Sequence, residues 1–243
     1  MNNSRILELY AHLRDDVDAL AFAPPVECVY NPLRYAWNGF TQYNDMYSHG
    51  KKRVVFLGMN PGPWGMAQTG FPFGEVEAVK NFLGIRELVI TPPAEIHPSY
   101  PVMGLDCKRS EVSGKRLWGL FRERFGNAEV FSRENIVLNY CPLLFLTAGT
   151  REGTVRNLTP DRLKRDEREK LFALCDECLY QAVNVLAPDY VVGVGNFAAE
   201  RAEGALMGVN VVRVLHPSPA SPQSNTDWGG KVTEQLINSG VWL

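Results

Sequence analysis

No apolar run in the 243 residues reaches the roughly 20 that a membrane-spanning helix needs. The first residues, Met1-Asn2-Asn3-Ser4-Arg5, lead into a charged helical pattern rather than a secretory apolar segment. No internal repeat, low-complexity tract or linker interrupts the chain. Cysteine is scarce and odd in number, five in a chain long enough to bury a core without staples. A disulfide framework is therefore excluded as the organising device, and a cytosolic protein with reduced thiols is expected. An excess of basic charge is also missing. The formal net charge of −2 excludes a histone-like polycation, although a local basic face is enough to bind nucleic acid.

What is present is the composition of a soluble globular protein, 45% hydrophobic and 21% charged, read as a single domain over residues 1–243. Residues 53–59, 135–140, 190–194 and 211–215 are short, nearly continuous β-branched and apolar runs. Such runs mark strands covered on both faces, hence a mostly parallel sheet. Ile6, Leu7, Tyr10, Leu13, Val17 and Leu20 keep helical spacing near the amino terminus. A second helix is expected from Thr159-Pro160 as N-cap and first helical position to a stop at Pro188, with Leu171, Leu174, Cys175, Cys178, Leu179, Ala182, Val183 and Leu186 on one face. Strands alternating with helices make an α/β layered domain. Ligands of such sheets bind beyond the carboxyl ends of the strands.

Two segments stand at those ends. Residues 58–75 hold five glycines and three prolines in eighteen positions, which reads as a rigid loop whose backbone can approach a ligand closely. Residues 216–225 alternate three prolines with small residues and open on His216. An ordinary turn-rich connection is the alternative for either loop taken singly. Taken alone, Asn60 reads as a side chain capping its own Asn-Pro turn and Phe73 as a core residue.

Together these two loops resemble the active-site motifs of the single-strand-selective monofunctional branch of the uracil-DNA glycosylase superfamily. The resemblance continues through residues 31–40, 110–114, 139–146 and 156–160, and covers about residues 25 to 235. It implies a three-layer α/β/α sandwich with a mostly parallel central sheet. It also implies hydrolysis of the N-glycosidic bond of uracil and 5-modified uracils in single- and double-stranded DNA, without a lyase step, as part of base-excision repair. Breaking that bond leaves positive charge on the sugar and negative charge on the base, so water must be placed near C1′ and the anion stabilised.

The family's roles fall on residues whose chemistry suits them. Asn60 takes the water-positioning place; an amide does not ionise near neutrality, but its carbonyl can orient water. His216 takes the place of the donor to uracil O2, with its tautomer open. Phe73 matches the aromatic on which the flipped base stacks. Asn139 matches the reader of the Watson–Crick edge, because an amide can donate to O4 and accept from N3–H. Met59 is expected to offer its backbone N–H, Met66 joins it among the substrate-binding positions, and Gly62 leaves space at the 5-position. Pro217, Ser218, Pro219, Ala220, Ser221, Pro222 and Gln223 form the expected DNA wedge, with Ser218 and Lys115 as phosphate contacts. Ala220 stands where vertebrate members carry arginine, which points to a preference for single strands or weakly paired uracil.

Other features are read as structural. Residues 193–198 fit a relaxed dinucleotide fingerprint but lack the acidic ribose ligand, and the family uses this segment to pack helix on strand. Cys175 and Cys178 share an apolar helix face, so buried, inert thiols are expected. Cys28, Cys107 and Cys141 do not complete the iron–sulfur pattern of some relatives. No strand-linked lysine resembles a Schiff-base nucleophile. Basic residues cluster at Lys51-Lys52-Arg53, at the far end of its strand, and at Lys108-Arg109, Lys115-Arg116 and Arg122/Arg124. Trp64, inside the first loop, either lines the pocket or braces it. The expectation is a monomeric DNA-repair enzyme with no metal or cofactor and no membrane partner. It would be cytoplasmic, nucleoid-associated in a bacterium or nuclear in a eukaryote. A glycosylase for xanthine or hypoxanthine, or a non-catalytic binder of modified DNA, fits the same residues.

Overall fold

The four apolar runs form a parallel sheet in the computed structural model, which describes residues 2–149 and 154–243. The described strands are β1 (Val26–Tyr30), β2 (Val54–Gly58), β3 (Asn135–Asn139), β4 (Leu144–Ala148), β5 (Val155–Leu158), β6 (Tyr190–Val194) and β7 (Asn210–Val214). The helices are α1 (Asn2–Asp18), α2 (Pro32–Tyr35), α3 (Trp37–Tyr47), α4 (Met66–Thr69), α5 (Val76–Asn81), α6 (Val112–Phe125), α7 (Ala128–Glu134), α8 (Arg165–Leu186), α9 (Asn196–Ala205) and α10 (Trp228–Asn238).

The central sheet has the order β3-β2-β6-β7, every pair parallel. The chain leaves β2 for β3 on one side, then passes back to β6 on the other. That reversal opens a crevice beyond the carboxyl ends of β2 and β6. At this edge the register pairs Gly58 with Asn139 and Val194 with Val214.

Helices cover both faces, because side chains alternate along each strand. The Phe56 ring lies 4.7 Å from that of Phe121 on α6 and 6.4 Å from Phe131 on α7. Its neighbour Leu57 turns the other way, in register with Gly193. A side chain at Gly193 would collide with the Ala199 backbone, so glycine there lets α9 pack flat on β6. The result is the expected α/β/α sandwich.

Three features depart from the reading of the sequence. A second sheet, β1-β4-β5, is antiparallel throughout. Its outer strands are only partly buried, so they carry no continuous apolar run. The long helix begins at Arg165 rather than at Pro160: Pro160–Arg162 makes a separate 3-10 turn, and Lys164 is the N-cap. The loop after β2 also contains a full helical turn, α4, ended by Gly70 at φ +80°. Cys175 and Cys178 are buried as expected, and burial pushes the Cys178 thiol up to about 12. Lys52 is buried at the amino end of β2 with its ammonium on the Ser132 carbonyl, far from the crevice.

Candidate active site

Met59, Asn60, Gly62, Phe73, Asn139, His216 and Ser218 line one cavity of about 270 Å³ at the carboxyl edge of the sheet. They come from the first loop, the end of β3 and the loop after β7. The two loops therefore close on each other, as the sandwich topology requires. A larger adjoining cavity, about 690 Å³, runs past Met59, Gly195 and His216 to Ser221, Pro222 and Gln223.

Asn60 does not cap its own turn. Its Nδ2 donates to the Leu143 carbonyl at 3.0 Å, 83 positions away. That bond commits the amide's donor side and leaves Oδ1 as the group able to accept from a bound molecule. Asn139 is committed differently: its Nδ2 meets the Met66 sulfur at 3.2 Å, a weak acceptor, while Oδ1 is buried with no donor from the protein. An amide so placed can accept one hydrogen bond from a ligand and give one by exchanging the sulfur.

His216 is defined by its neighbours. The Ser218 backbone N–H donates to Nδ1 at 3.0 Å, so Nδ1 is unprotonated and the neutral ring carries its proton on Nε2. Burial holds the imidazole down at about 4, which keeps it neutral at pH 7. Phe73 lies 6.4 Å from this ring, centroid to centroid. It is held in the left-handed region at φ +53°, and its carbonyl accepts from the Trp118 indole at 3.1 Å. Gly195 also serves His216: at φ +95° it takes a backbone conformation that suits glycine, and a side chain there would come within 3.0 Å of the His216 Cβ.

The loop after β7 is tied down through its carbonyls. Arg116 donates to Pro217 O at 2.7 Å, Asn225 to Pro219 O at 3.0 Å and Lys231 to Gln223 O at 2.9 Å. Ser224 Oγ donates to His216 O. Pro219, Ala220, Pro222 and Gln223 are exposed, whereas Pro217 is buried. Arg116 thus braces the loop. Lys115 is exposed in the first turn of α6, and a groove of about 660 Å³ joins it to Arg122, Ser224 and Asn225.

Not every expected residue reaches the cavity. Met66 is buried behind Asn139 and does not line it. Trp64 braces: the Arg109 guanidinium lies 4.0 Å from its ring, and Tyr100 stacks on it at 5.3 Å. Conversely, Glu111, Ser113, Asn157 and Thr159 line the cavity without having been singled out. They belong to segments 110–114 and 156–160, where resemblance was the only pointer to a site and Thr159 otherwise reads as a helix N-cap. Glu111 changes the reading of Gly62, because a methyl at Gly62 would overlap its Oε1 and one at Gly65 its Oε2. The room left by these glycines is filled by a carboxyl group. Burial, with Glu75 nearby, pushes that carboxyl up to about 7.

Residues 45–236 match the model of the uracil DNA glycosylase superfamily. The chain is 48% identical over 239 residues to the single-strand selective monofunctional uracil-DNA glycosylase of Rattus norvegicus, covering 97% of this chain and 84% of the relative. The corresponding Bos taurus protein is 48% identical over 233 residues, covering 94% of this chain and 84% of that one. The crystal structure of wild-type Pedobacter heparinus SMUG2 superposes with a TM-score of 0.70 at 18% identity, covering 97% of each chain, and so shares the fold. The chain belongs to the uracil DNA glycosylase superfamily.

Proposed function

We propose that this protein is a monofunctional uracil-DNA glycosylase of base-excision repair, with Asn60 and His216 as its catalytic pair. The observation that carries the reading is that an amide with its oxygen left to accept and an imidazole whose Nδ1 is taken by a backbone N–H border one cavity. A uracil flipped out of DNA stacks on Phe73 and turns its N3–H toward the orphaned Oδ1 of Asn139. Its O4 takes the Nδ2 donor in place of the Met66 sulfur. Cytosine has no N3–H and presents an amino group at C4, so it meets two mismatches.

The bond from C1′ to N1 then breaks heterolytically, and its electron pair leaves with the base. Nε2–H of His216 donates to O2 as negative charge collects there. Because the imidazole is neutral, it stabilises the anion by hydrogen bonding and keeps its proton. A water accepted by Asn60 Oδ1 adds its oxygen to C1′ and releases a proton to solvent, completing hydrolysis. No lysine lines the cavity among the described residues, which favours direct attack by water over a Schiff base.

Loop residues 219–223, all exposed but the half-buried Ser221, act as the wedge, and Lys115 and Ser218 as phosphate contacts. With Ala220 supplying neither charge nor reach at the tip, the enzyme favours single strands and weakly paired uracil over matched duplex. Its partner is DNA, and it works as a monomer; no helix among the described residues is long and apolar enough to cross a membrane.

The test uses an oligonucleotide carrying one uracil, followed by alkaline cleavage of the product. Free uracil and an abasic strand that breaks only in alkali are expected. Binding without release of base overturns the reading.

A further inference from the structure

Asn157 lines the base cavity, and the mechanism above does not use it. It stands on β5 in register with Leu146 of β4, between the exposed Arg156 and the buried Leu158. Its Nδ2 reaches the Pro61 carbonyl at 3.5 Å, so the amide touches the residue that follows Asn60. Turned over, the amide would set Oδ1 against that carbonyl, acceptor against acceptor, so its orientation is fixed. Oδ1 is then buried with no donor from the protein. An acceptor left empty in this way is costly, and a molecule that enters the cavity with a donor relieves it.

The donor follows by elimination, on the reading proposed above. A nucleotide inside a DNA strand has both sugar hydroxyls esterified, and its ionised phosphates only accept. Uracil adds one donor, N3–H, which Asn139 takes. The DNA has nothing left to offer Oδ1 of Asn157, and water is the remaining donor. The water that must be held is the one that attacks C1′. It owns two O–H bonds, and Asn60 Oδ1 accepts one of them.

Both amides hang on the same stretch of chain. Asn60 is held by the Leu143 carbonyl just ahead of β4, and Asn157 pairs with Leu146 within β4. A water bound by one acceptor swings about that bond. Two acceptors fix both O–H bonds and leave a lone pair to face the sugar. We propose that Asn157 is a further catalytic residue, whose Oδ1 accepts the second O–H of the water that Asn60 holds. The site thereby favours a nucleophile with two O–H bonds, because an alcohol leaves one of the two acceptors empty.

The experiment lets methanol compete with water during uracil release from an oligonucleotide carrying one uracil. Methanol adds its oxygen to C1′, gives its proton to solvent and leaves a methyl acetal. That strand has no latent aldehyde, so it resists the alkali that breaks an abasic strand, and mass spectrometry finds it one methylene heavier. Wild-type protein forms the acetal in a share well below the mole fraction of methanol. Asn157→Leu, close in volume but without the acceptor, slows release and raises that share about fivefold or more, the scale of one hydrogen bond. Asn157→Asp keeps an oxygen, loses the link to Pro61, and holds the share near wild type. The share is a ratio within one sample, so a reduced folded fraction cancels, and a purely structural role would slow release without moving it. Should Asn157→Leu fail to fold, Asn157→Ala takes its place. A wild-type share equal to the mole fraction of methanol, an unchanged share without the acceptor, or a share in Asn157→Asp as high as in Asn157→Leu overturns the assignment. Failure to release uracil from any oligonucleotide overturns the glycosylase reading instead, which separates the two conclusions.

Discussion

The backbone N–H of Ser218 donates to Nδ1 of His216 at 3.0 Å, and this one bond decides what the imidazole can do. It assigns the proton to Nε2 and makes the ring a donor into the cavity. The loop after β7 thereby sets the chemical state of the residue that opens it.

A pH dependence follows. Burial lowers the His216 pKa from 6.5 to about 4, so the ring is already neutral where a free histidine would still be titrating. Single-turnover uracil release is expected to show no inflection from this group near 6.5, with its acid limb displaced toward 4. The stability effect has the same sign: the unfolded chain takes up the proton first as pH falls. Stability is fully present above 6.5 and declines between 6.5 and 4. His216→Leu, which removes the donor, should slow release by about 10²–10³-fold, as loss of one donor to a developing anion does elsewhere.

Asn60→Ala tests the other half of the pair. The substitution removes the acceptor for water and the bond to the Leu143 carbonyl, but leaves Phe73 and Asn139 to hold the base. The chemical step should fall by about 10²-fold or more while affinity for uracil-containing DNA changes little. Near-full release by this variant, measured in single turnover, would refute the assignment.

The packing of Gly62 against Glu111 predicts a non-additive pair. Gly62→Ala forces a methyl into the carboxyl and should cost about 1–3 kcal/mol, the range for overpacking. Thermal denaturation should show a fall of several degrees in Tm. Glu111→Ala in the same chain should recover most of that loss, and a double-mutant cycle measures the coupling. Because folding raises the Glu111 pKa from 4.5 to about 7, its protonated form is favoured in the folded state. Its contribution is complete below 4.5 and is lost as pH rises toward 7. Glu111→Gln should therefore gain stability relative to wild type on the alkaline side.

Ala220 is exposed at the tip of the loop proposed as the wedge. Ala220→Arg adds a cation and reach without disturbing the carbonyl anchors around it. Excision from matched duplex should rise relative to single strands, and the gain should shrink as salt is added. An unchanged duplex-to-single-strand ratio would show that the tip does not limit penetration.

The four parallel strands were legible because burial on both faces leaves continuous apolar runs, from Val54 to Gly58 most plainly. Strand β5 was not: Val155-Arg156-Asn157-Leu158 buries only Leu158, and its place is set by pairing with β4. Thr159-Pro160 carried a helix-start signal, yet local chemistry there closes only one 3-10 turn before α8 begins. At the site, Asn60, Phe73, Asn139 and His216 could be named through their motifs. The state of His216 could not, since it depends on how the local turn aims the Ser218 N–H and on the burial the fold imposes. Glu111 lay hidden for a related reason: its neighbours Gly62 and Gly65 are about fifty positions away in the chain, and only tertiary approach wraps them around it.

The loop after β7 is anchored to the rest of the protein through main-chain oxygens at positions 216, 217, 219 and 223, and within itself by the His216 ring and the Ser218 hydroxyl, none of them a side chain of its exposed crest. Its curvature is therefore largely indifferent to what decorates its crest. Ala220 becomes a natural attachment point: a cysteine there could carry a fluorophore or crosslinker, and the reporter would ride on an unaltered scaffold as DNA arrives.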